Sequence, residues 1–421
     1  MTPEEYRQLI YDNLPHATLG TEAVALADGL GRTLAHDAIA KLDVPPFDNS
    51  AMDGFAVRGE DFRGEGPWEF AVVEDVAAGV VGQERSLGDA ELREGGLPIA
   101  ARIMTGAPVP KWADAVVKVE DTDAPRGASA MPRRVRIDAR PKPQANVRFA
   151  GEDLTAGTRA IEAGTVLGPR ALSALASIGY GEVEVRRKPR VAVLSTGAEL
   201  TAPGKEPGPG MIPDSNSTLL ATLVRKAGGE PTVVRTVADT AEEFGAALPV
   251  DVDLIVTSGG VSMGAFDPVK EYGLAHDWTF EKVTMQPGKP QGHGLAGDIP
   301  VIAVPGNPVS VAVSFRLFVR PFLTRLLGQP EDLVDAAPGC AMARAGASWR
   351  SSAGRRQFLP GKLMTGAGWQ EDGGGAVVVP VHELGSGSHL VAAMHAADVL
   401  AVVEADVEAV AEGDAVKIID F

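Results

Sequence analysis

Three short segments combine glycine with hydroxyl or amide side chains: Ser195-Thr196-Gly197-Ala198-Glu199, Thr257-Ser258-Gly259-Gly260-Val261-Ser262-Met263-Gly264 and Pro305-Gly306-Asn307-Pro308. Glycine lets backbone N–H groups come close to a bound group, and successive N–H groups form an anion nest. Ser and Thr add hydroxyl donors, and helices beginning just after such loops direct their positive ends at the same place. Each loop alone is as readily an ordinary turn. Three at strand ends of one domain point to phosphate or a similar anion. None matches the lysine-bearing phosphate loop or the dinucleotide fingerprint.

Acidic residues accompany these loops: Glu199, Asp239 and Asp267. A carboxylate beside an anion nest is costly unless a cation lies between them. Magnesium suits this, being held by one or two carboxylates plus substrate phosphate oxygens. The alternative for Asp239 and Asp267 is a helix N-cap, since each precedes a plausible helix. Lys289, in Gln286-Pro287-Gly288-Lys289-Pro290, sets a positive charge on a rigid turn, or is a solvated surface lysine.

Two dense segments stand nearer the N-terminus: Phe47-Asp48-Asn49-Ser50-Ala51-Met52-Asp53-Gly54-Phe55-Ala56, and Arg102-Ile103-Met104-Thr105-Gly106-Ala107-Pro108-Val109-Pro110. The first superficially suggests a calcium loop, but Met52 and a missing distal glutamate break that pattern. The seven histidines are dispersed without metal-ligand spacing, and no nucleophile elbow is present.

The elements that must position these groups follow from periodicity. Tyr6, Leu9, Ile10 and Leu14 predict a helix ended by Pro15. Ala25, Leu26, Leu30 and Leu34 predict a second over about Thr21–His36. From Leu42 to Asp138, short apolar runs between Gly/Pro/Asp clusters predict a β-rich unit, with Asp123–Arg136 an exposed loop or hairpin tip. From Gly168 to Gly328, strands at 190–194, 232–235, 253–257 and 301–304 alternate with helices at 215–226, 242–248, 268–275 and after Val309. That alternation predicts an open, doubly wound, mainly parallel α/β sheet, whose ligands bind beyond the strands' carboxyl ends. Residues 376–381, 398–403 and 415–419 read as short strands.

Composition excludes several classes. The chain has 421 residues, 39 Lys+Arg against 56 Asp+Glu, and a net charge of −17. Such acidity argues against nucleic-acid binding. The single cysteine, Cys340, rules out an intrachain disulfide framework and a cysteine-ligated zinc. The acidic N-terminus is no signal peptide, and the longest uncharged stretch, Ile299–Phe315, is broken by prolines. A soluble cytoplasmic protein with no membrane partner is the expectation.

Taken together, Asp48–Gly54, Met104–Pro110, Gly151-Glu152-Asp153, Ser195-Thr196-Gly197, Ser258-Gly259-Gly260-Val261-Ser262 and Pro305–Pro308 resemble the molybdopterin molybdotransferases, the molybdenum insertase family that includes the gephyrin E domain. The motifs run in the family's order from about residue 45 to 315; Gly387-Ser388-His389-Leu390 adds a weaker match. The resemblance implies a multidomain α/β plus β fold: a linker segment at 1–45, a β-rich insertion domain at 46–140, the rest of a discontinuous helical linker domain at 141–180, a molybdopterin-binding α/β domain at 181–328 similar to that of the molybdopterin adenylyltransferases, and a small β-barrel at 329–421. It also implies an elongated homodimer with a site between subunits.

The implied reaction places molybdenum from molybdate into adenylylated molybdopterin and releases AMP, with magnesium or another divalent cation present. By resemblance Ser195, Thr196, Gly197, Ser258, Gly259, Gly260, Ser262, Gly264, Pro305, Gly306, Asn307 and Pro308 bind substrate, with Ser388 a contact from the barrel. Glu199, Asp239 and Asp267 hold the metal or orient the attacking oxygen, and Lys289 contacts phosphate or molybdate. Asp48, Asp53 and Thr105 close the cleft, from the partner subunit. The chain departs from many members at Ala198, where they carry aspartate, and from some at Gln286, where they carry lysine. A molybdopterin adenylyltransferase and apo-molybdoenzymes are the implied protein partners. The rival readings are an adenylyltransferase, which lacks the Asp48–Gly54 and Thr105 loops, and a scaffold.

Overall fold

The computed structural model describes residues 1–79, 93–127, 129–237, 240–261, 267–330, 342–364, 376–385 and 387–421. Helix α1 (Pro3–Asn13) opens with a capping box: the Thr2 hydroxyl accepts from the Glu5 amide and the Glu5 carboxylate accepts from the Thr2 amide. Tyr6, Ile10 and Leu14 lie on one face and enter the largest core. The predicted helix at Thr21–His36 is not formed. Residues there make strand β1 (Thr21–Ala25) and a single 3-10 turn at Leu26–Asp28. The strand pairs antiparallel with residues 182–186, and that long-range ladder wins over a weak helical period interrupted by Gly29 and Gly31.

The insertion carries β2 (Gly54–Val57), β3 (Trp68–Val76), β4 (Leu97–Ile103), β5 (Ala115–Lys118) and β6 (Arg134–Ile137). They form one sheet in the order β5-β2-β4-β3-β6, parallel only between β3 and β4. Strand β2 is buried on both faces, Phe55 and Val57 in one cluster and Ala56 in another. The chain then returns to the linker unit through α2 (Pro169–Ser177) and β7 (Glu182–Arg186), the partner of β1. The linker unit is therefore discontinuous, with its helix in the second piece.

The α/β domain holds β8 (Arg190–Thr196), α3 (Ser215–Lys226), β9 (Glu230–Val237), α4 (Ala241–Ala247), β10 (Leu254–Ser258), α5 (Pro268–Ala275), β11 (Thr279–Lys282), β12 (Pro290–Ala296), β13 (Ile299–Val304) and α6 (Pro308–Ser314). The last helix continues through a π-helical turn, Phe315–Val319, into α7 (Arg320–Leu326). Sheet order is β9-β8-β10-β13-β12-β11. The first four strands are parallel, and β12 and β11 add an antiparallel edge. Val193, Val256 and Ile302 are fully buried on one face, and Ala192, Ile255 and Val301 on the other. That is the pattern of a sheet covered by helices on both sides.

Strands β14 (Met342–Ala345), β15 (Arg356–Met364), β16 (Val377–Pro380), β17 (Val399–Val403) and β18 (Ala415–Asp420) close into a barrel in the order β15-β16-β14-β18-β17, with β17 pairing back to β15. Leu359, Val378, Ala401 and Ile418 fill it. Met285-Gln286 of the α/β domain pairs with Arg356-Gln357 at the barrel edge.

Candidate functional site

The register of the parallel strands decides where the glycine loops go. Ser195 is level with Ser258, and Ser258 with Val304. Strands β8, β10 and β13 thus end at one rim, and all three loops leave from it. The loops then touch. A Cβ on Gly306 would stand 3.3 Å from the Gly259 Cα, and one on Gly259 (φ +88°) would stand 2.7 Å from the Thr196 carbonyl oxygen. The Asn216 amide in the first turn of α3 donates to the Gly306 carbonyl at 2.6 Å.

A cleft of about 1140 Å³ opens over this rim, between the α/β domain and the barrel. Its lining includes Thr196, Gly197, Glu199, Gly259, Gly260, Asp267, Lys289, Pro305, Gly306, Asn307, Pro308 and Ser388. Twelve residues singled out from the sequence therefore share one crevice. Asp239, Ser262 and Gly264 lie outside the described residues. Ser195 and Ser258 take a different place: they are buried behind the loops rather than lining the cleft. The Ser258 hydroxyl donates to Ser195 Oγ at 3.3 Å, Ser195 Oγ lies 2.6 Å from Ser217 Oγ, and the Ser217 amide donates to Asp214 Oδ1 at 3.0 Å. They brace the rim and the start of α3.

Lys289 is held from below. Buried Gln291 donates from Nε2 to the Gly288 carbonyl and to Ser314 Oγ, both at 2.7 Å, so the Pro-Gly-Lys turn rests on α6. Ser388 is held from the side: Asn307 Nδ2 donates to its hydroxyl at 3.0 Å, and its carbonyl accepts from the Val309 amide at 3.1 Å. Asn307 stands at the N-cap of α6 but spends its side chain on the barrel. Asp267, buried at the start of α5, likewise makes no capping bond. Glu199 is exposed, and its carboxylate folds over Gly197, where a Cβ would lie 2.6 Å from Oε2.

Two cleft residues escaped the sequence reading. Arg355 lines the cleft just ahead of β15, one residue before Arg356, which is engaged by Glu404 at 2.8 Å and by Glu4. The basic pair Arg355-Arg356 after Gly354 is its only signal. Asn216 falls inside the helix expected over 215–226, where nothing in the sequence marks it as a site residue; Asp214 caps that helix by accepting from the Ser217 amide.

The N-terminal motifs come together elsewhere. The Val109 amide donates to the Asp48 carbonyl at 2.9 Å, and Asp48 Oδ1 accepts from the Ala150 amide at 2.8 Å. Asp53 Oδ1 accepts from the Thr105 amide at 2.7 Å and the Thr105 hydroxyl at 2.8 Å. Those bonds, the amide's first, hold the Asp53 carboxyl below the usual range. Asp48, Asp53 and Thr105 thus form a unit in the insertion domain and do not line this chain's cleft.

Among the described residues, no three His, Cys, Asp or Glu side chains gather as a ready metal cage. Glu199 and Asp267 on the cleft wall still fit a magnesium-type site, which needs only one or two carboxylates beside substrate oxygens.

Relatives agree with this layout. Three family models match in series: the MoeA N-terminal region (domain I and II) over residues 1–179, the probable molybdopterin binding domain over 192–325, and the MoeA C-terminal region (domain IV) over 342–421. A Mycobacterium tuberculosis protein, molybdopterin molybdenumtransferase 2, is 42% identical over 348 residues, covering 80% of this chain and 81% of its own. The chain belongs to the molybdopterin molybdenumtransferase family.

The Haemophilus influenzae molybdopterin molybdenumtransferase is 32% identical over 429 residues, covering 100% of this chain and 98% of its own. Among solved structures, the molybdopterin biosynthesis MoeA protein of Pyrococcus horikoshii superposes with a TM-score of 0.79 at 27% identity, covering 100% of both chains. A second structure of a molybdopterin biosynthesis MoeA protein from that organism gives 0.76 at 32% identity, covering 99% of this chain and 98% of that one. The closed five-strand barrel and the α/β domain are thus the family's fold. Among the described residues, no helix is long and apolar enough to cross a membrane.

Proposed function

We propose that the protein is a molybdopterin molybdenumtransferase of molybdenum cofactor biosynthesis and that the cleft over the parallel rim is its reaction site. The observation that carries this is the meeting of three glycine loops, Lys289, Arg355 and Ser388 in one crevice beside Glu199 and Asp267. The substrates suit that lining, since molybdopterin carries phosphate and molybdate is a dianion. At ~0.15 M salt, charges are screened over ~8 Å, so these local groups outweigh the protein's overall negative charge.

In our reading the pterin arrives adenylylated. Water cleaves the phosphoanhydride, AMP leaves with one phosphate, and molybdopterin keeps the other. Breaking such a bond is chiefly positioning and charge neutralisation. The loop amides and Lys289 bind the phosphates, while Arg355 and the Asn307-held Ser388 hydroxyl face the molybdate. Glu199 and Asp267, joined by Asp239, would hold a divalent cation, magnesium by the nature of the donors. Such a cation supplies charge neutralisation at the phosphate oxygens.

Asp48, Asp53 and Thr105 lie away from this chain's cleft, and we assign them to closing the cleft of a second protomer in a homodimer. The unit boundaries near 45, 140, 180 and 328, the cytoplasmic location, and docking of a molybdopterin adenylyltransferase or of apo-molybdoenzymes belong to the same reading. Incubation with adenylylated molybdopterin, molybdate and magnesium tests it: AMP release coupled to molybdenum loading is expected. ATP consumption with free molybdopterin, and no AMP from the adenylylated form, would replace it with an adenylyltransferase.

A further inference from the structure

A second cavity of about 200 Å³ adjoins the cleft behind the Lys289 turn. The two share Val261, Lys289 and Pro290 as a common wall. The lobe adds Lys270, on α5, and Lys282, at the end of β11. Three lysines around so small a space stand out in a chain of net charge −17.

The fold forces this clustering. Lys282 pairs with Pro290 across the β11–β12 ladder, and the Val283 amide donates to the Lys289 carbonyl at 2.9 Å. Lys282 and Lys289 therefore stand on facing legs of one turn. The Lys270 amide donates to the Gly260 carbonyl at 3.0 Å, which places α5's first turn against the second glycine loop. Among the described lining residues the only acid is Glu281. Strand alternation sends its side chain to the opposite face from Phe280 and Lys282, toward Tyr6, whose hydroxyl feels its charge. Lys282 and Lys289 are exposed and pair with no described carboxylate.

We propose that this lobe is a second anion site, taking a tetrahedral oxygen dianion and sharing Lys289 with the main cleft. It rests on the reading of the cleft given above, and it adds a holding position one lysine away from the reaction site. Two sources offer that chemistry: a free oxyanion of the molybdate class, and the phosphate of a nucleotide monophosphate. Two adjacent cationic positions with one shared lysine let an anion pass from one to the other along Lys289.

Tungstate serves as the probe, by calorimetric titration and by anomalous diffraction from soaked crystals of the full chain. The expected result is two tungstate positions per wild-type chain, one in the cleft and one among Lys270, Lys282 and Lys289. Lys282→Gln loses the second and leaves the first within twofold; Lys282→Arg keeps both. The molybdate KM of Lys282→Gln rises about tenfold, equivalent to ~1.4 kcal/mol, with kcat unchanged. Displacement of lobe tungstate by AMP assigns the site to nucleotide phosphate; persistence under AMP assigns it to the free oxyanion. Tungstate in the cleft alone, or two positions surviving in Lys282→Gln, overturns the lobe while leaving the cleft reading intact. Tungstate in neither position overturns the cleft reading itself.

Discussion

Gly306 packs against Gly259 so closely that a Cβ on Gly306 would stand 3.3 Å from the Gly259 Cα. Two loops that leave different strands are thereby joined backbone to backbone. The positions differ in tolerance. At Gly259 the backbone has φ +88°, and a methyl group would meet the Thr196 carbonyl at 2.7 Å. Gly259→Ala is expected to cost ~1–3 kcal/mol in strain and to displace the rim. Misplacement of about 1 Å lowers a rate on the order of 100-fold. Gly306→Ala, which needs a shift of only a few tenths of an ångström, should lose much less. Steady-state AMP release and urea unfolding of both variants check the order; equal losses would refute it.

Lys289 and Arg355 bring the two cleft cations that pair with no described carboxylate. Charge-assisted bonds to an oxyanion are worth roughly 1.5–3 kcal/mol each. Lys289→Gln and Arg355→Gln should each lower kcat/KM about 10- to 100-fold without moving the unfolding midpoint. If Arg355→Gln alone is silent, the oxyanion sits nearer the glycine loops than the barrel.

Asp267 separates a metal ligand from a helix cap. It occupies the N-cap of α5 and makes no capping bond, so Asp267→Asn removes no such contact. The magnesium concentration giving half-maximal activity should rise at least ~10-fold, with stability held within ~0.5 kcal/mol. A loss of stability with unchanged magnesium dependence would make it structural.

How much of this was legible in the sequence follows from the range of the forces involved. Strands β8, β10 and β13 are continuous Val/Ile/Leu/Ala runs because both faces are covered, and such runs are readable locally. Helix α5 forms over Pro268–Ala275, as the alternation of strands and helices predicts. Strand β1 was not readable: Thr21–Ala25 is mostly exposed and exists because β7, some 160 residues on, supplies its ladder. The antiparallel edge, β11 and β12, was also missed, since His293 and the glycines of β12 interrupt any strand period. At the site, loop chemistry was visible, but depth was not. Ser195 and Ser258 look like donors in sequence and are buried by the register that brings their loops together.

Burial holds the His293 imidazole down to about 4, against 6.5 ordinarily. The Tyr6 hydroxyl lies 3.2 Å from Nδ1 and the Asn13 amide nitrogen 3.0 Å from Nε2, so the neutral ring uses one nitrogen as donor and the other as acceptor. Between pH 6.5 and 4 the unfolded chain takes up a proton that the folded protein refuses. Stability from this group is therefore full above pH 6.5, falls as the pH drops toward 4, and levels off below. The loss across that window is roughly 3 kcal/mol. Urea midpoints of wild type and His293→Gln, compared from pH 7.5 to 4, should converge as the pH falls. A constant offset between them would disprove the linkage.

Asp420, in the barrel's last strand, fastens that domain to the helix that starts at the cleft. Arg316, in the π-helical turn after α6, donates from Nε to the Asp420 carbonyl and to its Oδ1, each at 2.9 Å, and Arg320 pairs with the other carboxylate oxygen. Burial opposes ionisation of Asp420, yet the Arg316 and Arg320 charges outweigh it and keep its carboxyl below the ordinary value. Its contribution is thus present above about pH 4 and lost as the pH falls through the lowered value. Asp420→Asn removes the carboxylate charge facing the almost fully buried Arg316 guanidinium and should cost ~3 kcal/mol at neutral pH. Replacing both partners by apolar residues, Arg316→Met with Asp420→Leu, should recover most of that loss, because neither buried charge then needs a partner. Activity need not return with stability. Asn307 begins α6 and holds Ser388, so a barrel no longer tied at Asp420 should show a raised molybdate KM even when the apolar pair restores the fold. Full recovery of both would mean that packing alone sets the barrel's position over the cleft.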